Sequence, residues 1–262
     1  MNNLSETAIV PKLSFYQSGT GWKKYIIFGC SEFLSDIFDI IHANQGKVYK
    51  IYQNMPQIRR ERAIGLKERI ALLGYDVPVY DSLDFFTPEE GCLYIIGTIT
   101  PQKYRLIEML KKKYSLTFSS LIHPTVFLGS NVHIGEGVTI NVQVGIGPNV
   151  YLEDFASINR SSVIGHETRI GKYSLIGPGV YIAGSVHIGE KCKVGARATI
   201  LERLYIGDWT VIGAASLVNK DIPQGVIAYG VPAKAIRQND EVDFRRYSAK
   251  LSVHQASPLN PG

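Results

Sequence analysis

From Ile122 onward an aliphatic side chain recurs at every sixth position: Ile122, Leu128, Ile134, Ile140, Ile146, Leu152, Ile158, Ile164, Ile170, Ile176, Ile182, Ile188, Val194, Ile200, Ile206, Ile212 and Val218. Four residues after each stands a second column, mostly small or β-branched, from Val126 through Ala156, Ser162, Thr168 and Cys192 to Ile222. Glycine follows the aliphatic residue at many of these steps, among them Gly129, Gly147, Gly165 and Gly195. A period of six fits neither a helix nor a lone amphipathic strand, and self-similarity at a short fixed period marks a solenoid. Short flat strands joined by corners satisfy it. Three hexads close one triangular coil, so seventeen hexads predict between five and six coils, stacked at the ~4.8 Å strand spacing with the aliphatic ladder along the axis. Each buried ladder residue is worth roughly 1.5–3 kcal/mol before chain entropy is counted. The glycines are expected at corners that need positive φ. Handedness does not follow from the period.

The first half of the chain has other periods. "KYIIFGC" (24–30) predicts a buried strand, followed by a helix with the apolar face Phe33, Ile37, Ile40 and Ile41, capped by Ser31. "GKVYKIYQ" and "CLYIIGT" predict two more strands, "RRERAIGLKERIALLGY" a helix, and "PQKYRLIEMLKKKY" a helix opening at Pro101. Strands alternating with helices imply a small parallel, Rossmann-like α/β sheet. The expected division is an N-terminal extension (1–22), an α/β domain (23–118), a β-helix (119–237) and a tail (238–262) with a short helix near Val242 to Tyr247.

Composition narrows this picture. No apolar run approaches the length needed to cross a bilayer, and the polar N-terminus lacks a secretory core, so no membrane insertion and no export are expected. Three widely spaced cysteines fit reduced thiols in a cytoplasm, without metal-ligand spacing. The net charge of +5 is small and scattered, which favours small anionic ligands over nucleic acid.

The uninterrupted hexads, the closing "GVPAK" and the α/β region in front resemble the left-handed β-helix (hexapeptide-repeat) acyltransferases. The branch resembled is that of the sugar acetyltransferases, which includes UDP-4-amino-sugar N-acetyltransferases and sialic acid O-acetyltransferases. The resemblance implies a left-handed coil, a homotrimer with active sites between neighbouring prisms, and acetyl-CoA as donor without a metal. "INRSSVIGHE" (158–167) bears on the site. His166 lies two residues past the ladder position Ile164, so its imidazole should point outward at a prism edge and can serve as a general base. The resemblance implies that Glu167 orients that imidazole and that Asn159 shapes the same pocket. One coil further on stands Gly184, whose bare N–H is placed to meet the thioester oxygen. Lys220, Lys234 and Arg237 would meet the CoA phosphates, and Tyr229, Gly230 and Pro232 would wall its adenine.

Two departures qualify the match. In "FGCSEFLSD", Gly29 and Ser31 stand where the family's nucleotide-binding loop would be, but Glu32 and Phe33 replace the small and polar residues expected there, and a carboxylate at a helix start competes with phosphate. Leu175 replaces a histidine that contacts the acceptor in amino-sugar N-acetyltransferases. The expected activity is acetyl transfer to the amine of a nucleotide-linked sugar; a sugar hydroxyl is the alternative acceptor, and a non-catalytic β-helix binding module the rival of another class. His133 and His187, three coils apart, cannot share an ion and read as surface or subunit contacts. His123, His42 and His254 have no supporting neighbours in the sequence pattern.

Overall fold

The structure, a computed structural model, describes residues 21–53, 65–84 and 86–240. The tail helix expected near 242–247, His254 and most of the N-terminal extension lie outside these residues, as does the first part of the helix expected over 59–75.

The α/β region forms as β1 (Lys23–Phe28), α1 (Leu34–Ala43), β2 (Gly46–Tyr52), α2 (Leu66–Leu72), β3 (Val79–Tyr80), β4 (Cys92–Ile96), a 3-10 turn (Pro101–Lys103) and α3 (Tyr104–Tyr114). The strands pair in parallel in the order β3-β2-β1-β4. Parallel strands are covered on both faces, and β1 accordingly buries Tyr25, Ile26, Ile27 and Phe28 in two cores. Ser31 does not cap α1. The helix starts three residues later, after Phe33, and the Ser31 hydroxyl accepts from the Phe33 N–H (3.3 Å) while donating to the Gly97 carbonyl (3.3 Å).

Among the described residues, seventeen two-residue strands from Leu121–Ile122 to Leu217–Val218 build the solenoid. Each of the first fourteen pairs in parallel with the strand eighteen residues on, as in Ser157 with Leu175 and Ile158 with Ile176. Three faces result: the first runs from Leu121–Ile122 to Val211–Ile212, the second from Phe127–Leu128 to Leu217–Val218, the third from His133–Ile134 to Tyr205–Ile206. Ladder residues from Ile140 to Val218 are buried in one continuous core. The ladder does not close at its start: Leu128 remains 41% exposed because no coil underlies it. Second-column hydroxyls enter this core fully bonded. Ser174 donates to the Gly189 carbonyl (2.7 Å) and accepts from the Cys192 N–H (2.8 Å), which offsets the cost of burying it.

The corner glycines are there for a different reason from the one expected. The positive φ falls two residues later, on Asn131, Asn149, Glu167, Ser185 and their equivalents. A Cβ on Gly165 would lie 2.4 Å from the Ala183 carbonyl carbon of the next coil, and one on Gly195 2.5 Å from the Ala214 nitrogen. Close stacking of successive corners, rather than dihedral freedom, excludes the side chain.

The same step of eighteen aligns Phe155, Tyr173, Lys191 and Trp209 along the corner between third and first faces. Phe155 and Tyr173 stack (5.5 Å), and the Lys191 ammonium lies 4.8 Å from the rings of both Tyr104 and Trp209. This rib receives α3. On the first face Lys103, 2% exposed, donates to the Ser157 hydroxyl at 2.7 Å, and Asp36 of α1 meets Arg160 and the Asn141 amide. His123, against expectation, has neighbours: Thr125 at 2.8 Å and the charge of Asp39.

Two measurements follow from this packing. Ile176→Ala should cost about 2–5 kcal/mol, read as a lower midpoint in chemical denaturation. Burial pushes the Lys103 amine down from 10.5 to about 7. Between those values the unfolded chain holds a proton that the folded chain has released, so stability should rise with pH from about 7 to 10.5 and level off below about 7. Lys103→Met should remove that rise in denaturation midpoints taken across the range.

Candidate active site

The corner between the second and third faces carries the candidate chemistry. Val163–Ile164 ends with Ile164 turned into the axis, Gly165 packs against the coil above, and His166 and Glu167 project outward. Their side chains are 61% and 60% exposed, so both are open to a ligand. Glu167 occupies the left-handed corner position (φ 58°), with its N–H donating to the Pro148 carbonyl one coil below.

His166 lies directly against Gly184. A Cβ added there would sit 2.4 Å from Nε2 and 2.5 Å from Cε1 of the imidazole. Only glycine leaves room for the ring, and the Gly184 N–H makes no hydrogen bond with the described residues. On the opposite side of the ring, Nδ1 faces Glu167 Oε2 at 3.7 Å. That carboxylate is held by the Ser185 hydroxyl at 3.0 Å, and the Ser185 N–H bonds the His166 carbonyl at 2.7 Å. Sequence reasoning did not single out Ser185, although it follows Gly184 and stands one coil above Glu167. The arrangement joins an exposed base, an anion that orients it and a free amide donor within one corner.

Other expected site residues lie elsewhere in the chain. Asn159 follows the first-face strand Ser157–Ile158, a different corner from His166. Its Oδ1 accepts from the Arg160 N–H (2.7 Å) and from Asn141 Nδ2 (3.3 Å). Leu175 is buried on the outside of the first face, in register with Ser157. Gly29 and Ser31 sit at the carboxyl edge of β1, close to Gly97. A single chain therefore does not bring Asn159, Leu175, Gly29 or Ser31 to the imidazole.

At the far end of the prism Val226–Gly230 and Ala233–Gln238 form an antiparallel hairpin on the first face, pairing Tyr229 with Lys234. The Gly230 N–H donates to Ser216 (3.2 Å), which ties the hairpin to the last coil; the Val231–Pro232 bond is cis. Lys220 and Lys234 are exposed, and Arg237 is engaged by Asp240 at 3.2 Å. The hairpin is roughly three coils, ~14 Å along the axis, from His166. On the third face His133 stacks on Tyr151 (5.4 Å) and His187 on Tyr205 (5.0 Å). Among the described residues no group of three His, Cys, Asp or Glu side chains could hold a metal, and no helix is long and apolar enough to cross a membrane.

Comparison with known proteins agrees with this architecture. The bacterial transferase hexapeptide (six repeats) family matches residues 167–202. No curated protein matches the chain in sequence. Among solved structures, PerB from Caulobacter crescentus, in complex with CoA and GDP-perosamine, is 25% identical with a TM-score of 0.69, over 83% of this chain and 98% of that one. The acetyltransferase domain of PglB from Neisseria gonorrhoeae is 20% identical (TM-score 0.69, 82% and 100% covered), and WeeI from Acinetobacter baumannii 21% (0.66, 81% and 99%). The latter two likenesses are of fold. Repeat and shared architecture together show a left-handed β-helix of hexapeptide repeats behind a small α/β region, an architecture similar to that of PerB.

Proposed function

We propose that the protein is an acetyl-CoA-dependent N-acetyltransferase acting on a nucleotide-linked amino sugar by direct transfer, with residues 23–118 as acceptor-binding domain and 119–237 as acyltransferase domain. The observation that carries this reading is the contact of an exposed His166 imidazole with Gly184, whose N–H is free. The 25%-identical PerB, which binds CoA and GDP-perosamine, supports both substrate classes.

The acceptor nitrogen attacks the acetyl carbonyl carbon while His166 Nε2 takes its proton; Nδ1 is turned to Glu167, so Nε2 is the nitrogen beside Gly184. The Gly184 N–H donates to the oxyanion of the tetrahedral intermediate. As that collapses, the C–S bond breaks, the imidazolium returns the proton and CoA leaves as a thiol. Lys220, Lys234 and Arg237 with the Tyr229–Lys234 hairpin are assigned to CoA. Asn159, Gly29, Ser31 and the pocket wall at Leu175 are assigned to the acceptor. Since one chain keeps these groups on different corners from His166, the site is completed between copies of a homotrimer. Cys30, Cys92 and Cys192, all free thiols, suit a cytoplasmic setting.

A sugar O-acetyltransferase is the second reading, favoured by one feature of the acceptor loop. The Phe33 and Leu34 N–H groups already bond Ser31, and Asp36 occupies the first turn of α1, so this helix start offers a diphosphate fewer free donors.

Incubating the protein with acetyl-CoA and a panel of nucleotide-linked amino sugars should release free thiol, and His166→Ala should lower kcat/KM by at least about 10²-fold with folding unchanged. Thiol release only with hydroxyl acceptors would reverse the order of the two readings, and a His166→Ala variant of ordinary activity would remove both. Gly184→Ala should displace the imidazole and cause a loss of similar size, read in the same thiol assay.

A further inference from the structure

Left-handed corner positions recur with the coil, so Asn131, Asn149, Glu167, Ser185 and Arg203 form one column beside the column that carries His166 and Gly184. Two pairs in it bond side chain to side chain across one coil. Asn131 Nδ2 donates to Asn149 Oδ1 at 2.9 Å, and the Ser185 hydroxyl donates to Glu167 Oε2 at 3.0 Å. A carboxylate only accepts, so the hydroxyl proton of Ser185 is committed to it. The lower pair flanks Ser130 and Pro148, outside the candidate site. The upper pair meets the imidazole: Glu167 Oε2, the oxygen that Ser185 holds, is also the one that faces His166 Nδ1 at 3.7 Å.

The main chain of Glu167 is set by its left-handed φ and by its N–H bond to the Pro148 carbonyl, but its side-chain torsions are set by neither. Among the described residues no lysine or arginine pairs with the carboxylate, and its one side-chain hydrogen bond is the one from Ser185. An exposed charge pair without a fixed geometry contributes little, so the hydroxyl decides whether this carboxylate orients anything. Ser185 grips the other member as well, its N–H donating to the His166 carbonyl at 2.7 Å. One residue thus holds the main chain of the base and the carboxylate of its orienting partner.

We propose that Ser185 is a positioning residue: by holding Glu167 Oε2 towards Nδ1 it keeps the His166 ring proton on Nδ1 and leaves Nε2, beside Gly184, bare to accept the proton of the attacking group. The inference rests on the acetyltransferase reading for its effect on rate, while the tautomer it imposes exists without substrate. The Asn131–Asn149 bond makes the same kind of contact away from the site, and its removal is the control for coil stacking alone.

Long-range proton–nitrogen NMR of the full chain with isotope-labelled histidine reads the tautomer, with the His166 signals identified by their loss in His166→Ala. The neutral ring should carry its proton on Nδ1, and Ser185→Ala should move it to a mixture of both tautomers. Alanine keeps the corner, as Ala215 does at φ 54°. In the thiol assay Ser185→Ala should lower kcat about three- to tenfold and leave KM for both substrates within about twofold. Ser185→Asn, which accepts a left-handed φ and can donate as Asn131 does, should restore rate and tautomer, and Asn131→Ala should change neither. In a Glu167→Ala background Ser185→Ala should cost nothing further. A ring protonated on Nε2 in the parent chain, a tautomer unchanged in Ser185→Ala, an equal effect of Asn131→Ala, or the same rate loss with and without Glu167 would overturn the inference. The expected tautomer change in a chain that releases no thiol with any acceptor would sink the proposed function instead and leave the positioning intact.

Discussion

The close stacking of eighteen-residue coils is the constraint on which the molecule depends. Successive backbones sit within a strand spacing of one another, so every position on a corner inherits a neighbour exactly one coil away in sequence terms, and only residues compatible with that neighbour are admitted. The axial aliphatics supply the burial that holds the stack together. The corners then enforce glycine wherever a Cβ would strike the next coil, as at Gly165 and Gly195. The candidate active site is one more instance of this rule. His166 and Gly184 are a corner residue and its successor, and the histidine ring takes the space that the missing side chain leaves.

The second constraint is the seam between the two halves. Three of the ties between the α/β region and the prism are the aromatic rib under α3, the Asp36–Asn141–Arg160 cluster under α1, and Lys103 on Ser157. All three use outward positions of the coils, which carry no ladder residue and so are free to vary in type. This division explains how one solenoid supplies stability from its inside and recognition from its outside. It also sets the carboxyl edge of the sheet, near Gly29 and Gly97, at a fixed place relative to the first face.

Much of the solenoid was legible because its period is short and its ladder unbroken; stepping by six from Ile122 found every strand. The outward direction of His166 followed from its offset from Ile164. The reason for the glycines did not, because contact between coils eighteen residues apart is a tertiary fact and glycine also signals positive φ. Ser31 looked like a cap because it precedes an apolar helix, but the chain needed three more residues to leave β1 and turn. Lys103 was invisible: a lysine beside Pro101 at a helix start reads as solvated, and only the prism beneath buries it. The rib was readable in principle, since Phe155, Tyr173, Lys191 and Trp209 are large residues at constant spacing, though on a column three residues past the ladder. Asn159 and Leu175 belong to a different corner and face from His166, a separation that only the placement of the three faces reveals.

The rib sets a rule for how this protein can change length. Because α3 grips four corners in succession, adding or deleting six residues between Phe155 and Trp209 would turn everything beyond the change by one third of a revolution and bring a different edge of the prism under the helix. Whole coils added past Trp209 would leave the rib in register with α3, while the middle of the solenoid is held to its present count.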